Sequence, residues 1–283
     1  MLWPRGGVSG EQLIAGVSLA HVSEVSRLIF AWPTLMKAGS TEMSYADYVK
    51  GISFRVCKPN MSPRGYGRLA ALFRTSPAHL EILNTRLPED AKGMRDRLAD
   101  LCQIPRMSSY AIAAMINRAV SLMSSDCCFL NVGVWNGFTF LAGLVGNSEK
   151  SCIGVDNFSE YGGPREEFLE RFNRYKSLNH NFYEMDYVEY FEKVHKEEIG
   201  LYIYDGRHSY LDQLRGLQVA EPFFSDECVV LVDDTNWNEP KRATLDFISC
   251  SSHNYEIILD KSTSGDGHPT LWNGLMVFQR VTA

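Results

Sequence analysis

The chain has 283 residues, 45% of them hydrophobic and 22% charged, with a formal net charge of −6. That composition fits a soluble globular protein with one large domain or two modest ones. The acidic balance offers no basic field for nucleic acid, and no apolar run reaches the ~18 residues of a membrane span.

Residues 1–105 carry helical periodicity and no clear strand pattern. Leu13, Ile14, Val17, Val25, Leu28 and Ile29 fit a helix over 11–32, which Pro33 interrupts. Residues 45–56 and 66–74 read as shorter helices around the turn-rich KPNMSPRGYG, and 86–102 as a charged amphipathic helix. The segment is expected to form a helical N-terminal subdomain, a lid over the carboxyl edge of a sheet, joined at Pro105 to a second domain over 106–283.

After Pro105, Ser108 or Ser109 can cap a helix carrying Ile112, Met115, Ile116, Ala119, Val120 and Met123 on one face. Strands are then predicted over 127–132, 151–156, 181–185, 199–205, 228–233, 255–260 and 275–281. Helices over 138–145, 164–176, 187–195, 209–223 and 239–251 separate the first six. Such alternation builds a parallel sheet with helices on both faces. Only a Gly-, Ser- and Pro-containing loop over 262–273 joins the last two strands, so the seventh is expected to be antiparallel.

Seven cysteines (57, 102, 127, 128, 152, 228 and 250) form no C-x-x-C pair. Cys127, Cys128, Cys152 and Cys228 sit in apolar strand runs, as small buried hydrophobes do. An odd count in a chain this long points to a reducing, cytoplasmic setting.

Ligands of such sheets bind where the strands end. The first strand runs into Gly133, Val134, Trp135, Asn136 and Gly137, a G-x-x-x-G turn. It lacks the middle glycine that admits a pyrophosphate in dinucleotide sites. Asp156 closes the second strand and can accept hydrogen bonds from a ribose diol. Further acids and amides fall at Asp186, Asp205–His208 and Asp233–Asn236. Asp205, Asp233 and Asp234 end neighbouring strands, and three hard oxygen donors suit Mg²⁺ or another divalent cation. Successive strand residues point to opposite faces, so both Asp233 and Asp234 reach one cation only if the chain bends there. His208 is placed to take a hydroxyl proton, with a helix-start histidine as the plainer alternative. Trp135 and Trp237 flank this edge, either as stacking surfaces or as core.

Five segments, LNVGVWNG at 130–137, GVDNF at 154–158, YEMDY at 183–187, YDGRHSY at 204–210 and VDDTNW at 232–237, resemble class I S-adenosylmethionine-dependent methyltransferases. Within that group they look like metal-assisted small-molecule O-methyltransferases of the catechol and macrocin types. The resemblance spans about 105–281. It implies a Rossmann-like seven-stranded mixed sheet of order 3-2-1-4-5-7-6 with strand 7 antiparallel. It also implies that Asn131, Gly133, Trp135 and Gly137 border the methionine part of the cofactor, Asp156 the ribose, and Met185 with Asp186 the adenine. Asp205, Asp233 and Asp234 match the metal ligands, and His208 stands near the base position, with Asp205 beside it in catalysis. The family's first motif usually opens on an acid, where this chain has Asn131.

The expected partner is a small-molecule acceptor, with no nucleic acid and no membrane; a homo-oligomer is left open. Two other classes stay open as well: a hydroxylase-type enzyme on the same sheet, and a non-catalytic cofactor-binding protein.

Overall fold

A seven-stranded sheet organises the computed structural model, which describes residues 43–282 apart from 66, 67, 69, 70, 73, 89 and 90. In chain order the strands are β1 (Cys127–Val132), β2 (Ser151–Asp156), β3 (His180–Glu184), β4 (Glu198–Tyr204), β5 (Phe224–Asp233), β6 (Asn254–Lys261) and β7 (Leu275–Val281). Their spatial order is 3-2-1-4-5-7-6. Strands β1 to β5 run parallel, and β7 lies between β5 and β6, antiparallel to both. The α/β class, strand order and reversed seventh strand agree with the sequence reading. The bounds of β1, β2 and β7 coincide with those expected, whereas β5 begins four residues early, at Phe224.

Both faces of the sheet are covered, so its central strands are apolar throughout rather than alternating. All six residues of β1 are buried. Phe129 points to a core shared with helices α4 (Tyr110–Leu122), α5 (Phe138–Leu144) and α6 (Arg165–Tyr175). Cys128, Leu130 and Val132 point to the opposite core. There they meet Tyr190, Leu217 and Phe247 of α7 (Tyr187–Lys193), α8 (Tyr210–Ala220) and α9 (Asn238–Cys250).

Helix α4 is buried nearly all round, as its continuous apolar sequence requires. Ser109 caps it by accepting from Ile112 N, as expected. Its outer side is covered by α1 (Tyr45–Gly51), α2 (Pro77–Asn84) and α3 (Ala91–Ala99), whose Val49, Ile82, Met94 and Leu98 join the same core. Residues 43–283 accordingly form one compact unit. Of the expected subdomain 1–105, the helix over 11–32 lies outside the described residues, as does much of that over 66–74.

Two local differences have physical reasons. The segment expected to hold no strand pairs Ser53–Phe54 with Thr85–Arg86 in an antiparallel ladder. Two residues are too few to show periodicity. The helix Pro77–Asn84 was not anticipated, although Ser76 caps it through His79 N and Pro77 opens it. Among the described residues no helix is long and apolar enough to cross a membrane.

Candidate active site

The parallel strands end on one edge, where a cavity of about 830 Å³ opens. Gly133, Trp135, Asp156, Met185 and Asp186 line it, as do Asp205, His208, Asp233, Asp234 and Trp237. The sequence-predicted residues are therefore brought together, apart from Asn131 and Gly137. Asn131 is fully buried, and its Nδ2 donates to the carbonyls of Val132 and Gly133. Gly137 has φ +94, and a Cβ there would lie 2.9 Å from the Phe168 ring. Both shape the turn from behind; neither reaches the cavity.

Gly133 has a sharper requirement. Its φ is +79, and a Cβ would stand 2.0 Å from the carbonyl oxygen of Asp205. Only glycine lets the ends of β1 and β4 approach so closely. Asp156 braces the same turn from β2. Its Oδ2 accepts from Val134 N (2.8 Å) and Trp135 N (2.9 Å), and its Oδ1 from Phe158 N (2.7 Å). An ionised carboxylate has about four lone-pair sites, so capacity remains for a ligand hydroxyl. Asp186 is also partly engaged, capping α7 through Val188 N and Glu189 N.

In the same cavity, His208 Nε2 sits 3.2 Å from Asp234 Oδ2 and 3.7 Å from Asp205 Oδ1. Trp237 meets its ring edge-on, with centroids 5.6 Å apart. The chain does bend after β5: Asp234 has φ +56, and its N–H donates to Asp233 Oδ1. Burial raises the Asp205 carboxyl to about 6; His208 opposes this, while Asp234 and Asp156 add to it. A third of the Asp205 side chain faces the cavity, so water tempers that shift. Burial, then repulsion from Asp205 and Asp234, holds the Asp233 carboxyl well above its ordinary range. Asp234 is raised too, by burial, against the pull of His208 and Asn273.

The donor chemistry of these carboxylates suits magnesium, but their placement does not make a cation cage. Among the described residues no group of three ligating side chains is set to hold a metal. Imidazole nitrogen, not open space, lies between Asp205 and Asp234.

Other lining residues escaped the sequence reading. The loop between β6 and β7 contributes Asp266 and Trp272. It is held by the segment around residue 60: Ser264 N donates to Pro59 O, Ser264 Oγ to Met61 O, and His268 Nε2 lies 2.9 Å from Met61 O. Nothing in the spacing of His268 signals this role. Strain marks the same cavity. Trp135, Phe158, Tyr161, Asp234 and Trp272 all line it, and all have positive φ without being glycine. Such conformations cost ~1–3 kcal/mol each and gather at functional sites.

Residues 130–235 match the family described as "Methyltransferase domain". That match covers little more than a third of the chain, the part from β1 to the end of β5. Solved structures agree at the level of fold. The chain resembles cofactor-bound Rv0187 from MTB at 13% identity and TM-score 0.51, over 80% of this chain and 99% of that one. A proposed O-methyltransferase from Klebsiella pneumoniae gives 10% and 0.50, over 77% and 97%. A Corynebacterium glutamicum protein gives 12% and 0.51, over 78% and 99%. No curated protein matches the chain in sequence.

Proposed function

We propose that the chain is an S-adenosylmethionine-dependent methyltransferase acting on a hydroxyl of a small molecule. The observation that carries this reading is one cavity lined both by a glycine turn braced by Asp156 and by a His208–carboxylate cluster. A cavity of about 830 Å³ is within the range of small-molecule sites. S-adenosylmethionine, when bound, supplies an electrophilic methyl group on a sulfonium.

The protein's part is to align and to move a proton. The walls of the cavity hold acceptor and cofactor in register, which removes much of the entropic barrier. His208 serves as the base for the hydroxyl proton, and Asp234 and Asp205, beside its ring, balance the charge of the imidazolium that forms. Trp237 limits how the ring can turn.

The experiment is calorimetry with S-adenosylhomocysteine followed by turnover with candidate acceptors. His208→Gln is expected to lower kcat by ~10²–10⁴-fold while leaving cofactor affinity within twofold. Failure of the wild-type protein to bind the cofactor would sink the reading. Magnesium assistance through Asp205, Asp233 and Asp234 is a second reading, drawn from their oxygen-donor chemistry, and it requires the His208 ring to leave its place beside Asp205 and Asp234. Turnover that a chelator abolishes and Mg²⁺ restores would support it; turnover indifferent to chelator would remove it.

A further inference from the structure

The cavity is strongly acidic. Ten of its lining side chains are Asp or Glu, against three Arg and His208. The arginines already have acidic neighbours. Arg106 meets Glu81 at 2.5 Å, Arg207 meets Glu160 at 2.5 Å, and Arg215 stands with Asp212 by Tyr187. Asp156 and Asp186 are engaged by backbone N–H groups. Asp233 is the deepest of the acids. It is 9% exposed, lines the cavity, and engages only its Oδ1, with Asp234 N. Its Oδ2 has no hydrogen-bond partner among the described residues. A buried carboxylate oxygen left unpaired beside a cavity lacks something the cavity would hold.

Aromatic surface lies bare in the same cavity. Trp237 is 46% exposed and Tyr161 63%, which leaves ring surface open to whatever occupies the space. Trp272 joins them from the loop between β6 and β7, which also carries Asp266. These groups stand close to one another. Burial, then the charges of Glu160, Asp234 and Asp205, raise the Tyr161 hydroxyl, and the charge of Asp266 reaches both Asp233 and Asp234. Phe138, Phe172 and Tyr210 each carry an Arg or Lys of the protein over the ring. Among the described residues no such cation lies over Tyr161, Trp237 or Trp272.

Open aromatic faces beside an unpaired carboxylate are the chemistry that takes an organic cation. An anion is repelled here, and a neutral acceptor leaves the carboxylates uncompensated. Magnesium demands oxygen ligands at ~2.1 Å in octahedral array, for which the His208 ring would have to move. A bulky ammonium group, held at longer range, leaves His208 where it is.

We infer that the acceptor is a hydroxylated amine, its ammonium group held by Asp233, Asp266 and the rings of Tyr161, Trp237 and Trp272. The inference rests on the methyltransferase reading and names its substrate class, an amino alcohol that presents its hydroxyl to His208.

Choline and its neutral carbon isostere, in which a quaternary carbon replaces the nitrogen, test it, because they share one shape and differ in charge. Quenching of tryptophan fluorescence reads their binding, with chelator present throughout and with or without saturating S-adenosylhomocysteine. Choline should bind at least ~10-fold more tightly than the neutral alcohol. Asp266→Asn can still accept from Gly267 N, so the loop is expected to survive it. That change should weaken choline by about threefold or more and the neutral alcohol by less than about twofold. Asp233→Asn should show the same pattern more strongly. Equal affinity for the two probes would overturn the inference, as would equal losses in the variants or binding of neither probe. Choline preference in a protein that does not bind S-adenosylhomocysteine would sink the methyltransferase reading and leave the cation site standing. Binding of S-adenosylhomocysteine without choline preference would sink this inference alone.

Discussion

Asp205 shows how one residue can serve a site at the expense of the fold. Its carboxyl is raised to about 6 in the folded chain by burial, against an ordinary value of ~4 once unfolded. Between those values the folded state holds a proton that the unfolded state has lost. Stability of the ligand-free protein should therefore fall as pH rises from ~4 through about 6. Asp233, raised further by burial and by its neighbours, extends the fall upward. Asp205→Asn should flatten the slope and leave the protein more stable than wild type at pH 7, while turnover is lost. Urea midpoints across this range, taken with chelator present, check it; parallel slopes in the two proteins would contradict the account. The same balance appears in the backbone, where five aromatic or acidic residues around the cavity accept left-handed dihedrals.

At the scale of elements, α6 packs on the sheet through an aromatic cluster, with Arg165 pairing Glu184 of β3 and Arg171 donating to Asn136 at its margins. Phe168 is fully buried, with ring centroids 4.7 Å from Phe182, 5.7 Å from Phe158 and 5.8 Å from Phe172. Phe168→Ala should cost ~3–5 kcal/mol in chemical denaturation, since the cluster cannot close over so large a void. Phe158 lines the cavity, so cofactor affinity should fall as well. A loss below ~1 kcal/mol would mean the rings repack freely.

The strands were legible because apolar runs of five or six residues, closed by Asp, Asn or Gly, repeat at regular spacing. Strand ends carry the polar residues, so most of the cavity followed from knowing where each run stops. What could not be read is what depends on distant pairing. Glu81 meets Arg106 only because two helices pack. His268 finds Met61 across most of the chain length. Asn131 gave the opposite difficulty: its position in the motif was right, but its side chain turns back to the backbone. The cation site was inferred from residue type, and His208 placed between two of the carboxylates is a detail of rotamer that spacing does not carry.

For the whole molecule, the position of β7 sets an order of assembly. Val229 pairs with Gln279 and Asp233 with Leu275, while the far side of the same strand pairs with β6. A polypeptide emerging in sequence thus presents β5 and β6 before the strand that belongs between them exists. Until residue 281 is free, the apolar Val229–Val232 edge of β5 has no partner on that side, and open apolar edges recruit other chains. A version stopped before Leu275 should be recovered in aggregates, and soluble monomer with wild-type circular dichroism would contradict this. Because Asp233 and Asp234 sit at the end of that same β5 edge, their side of the cavity is completed last. Newly made chains would then hold the glycine turn and Asp156 in place while the cavity still lacks a wall.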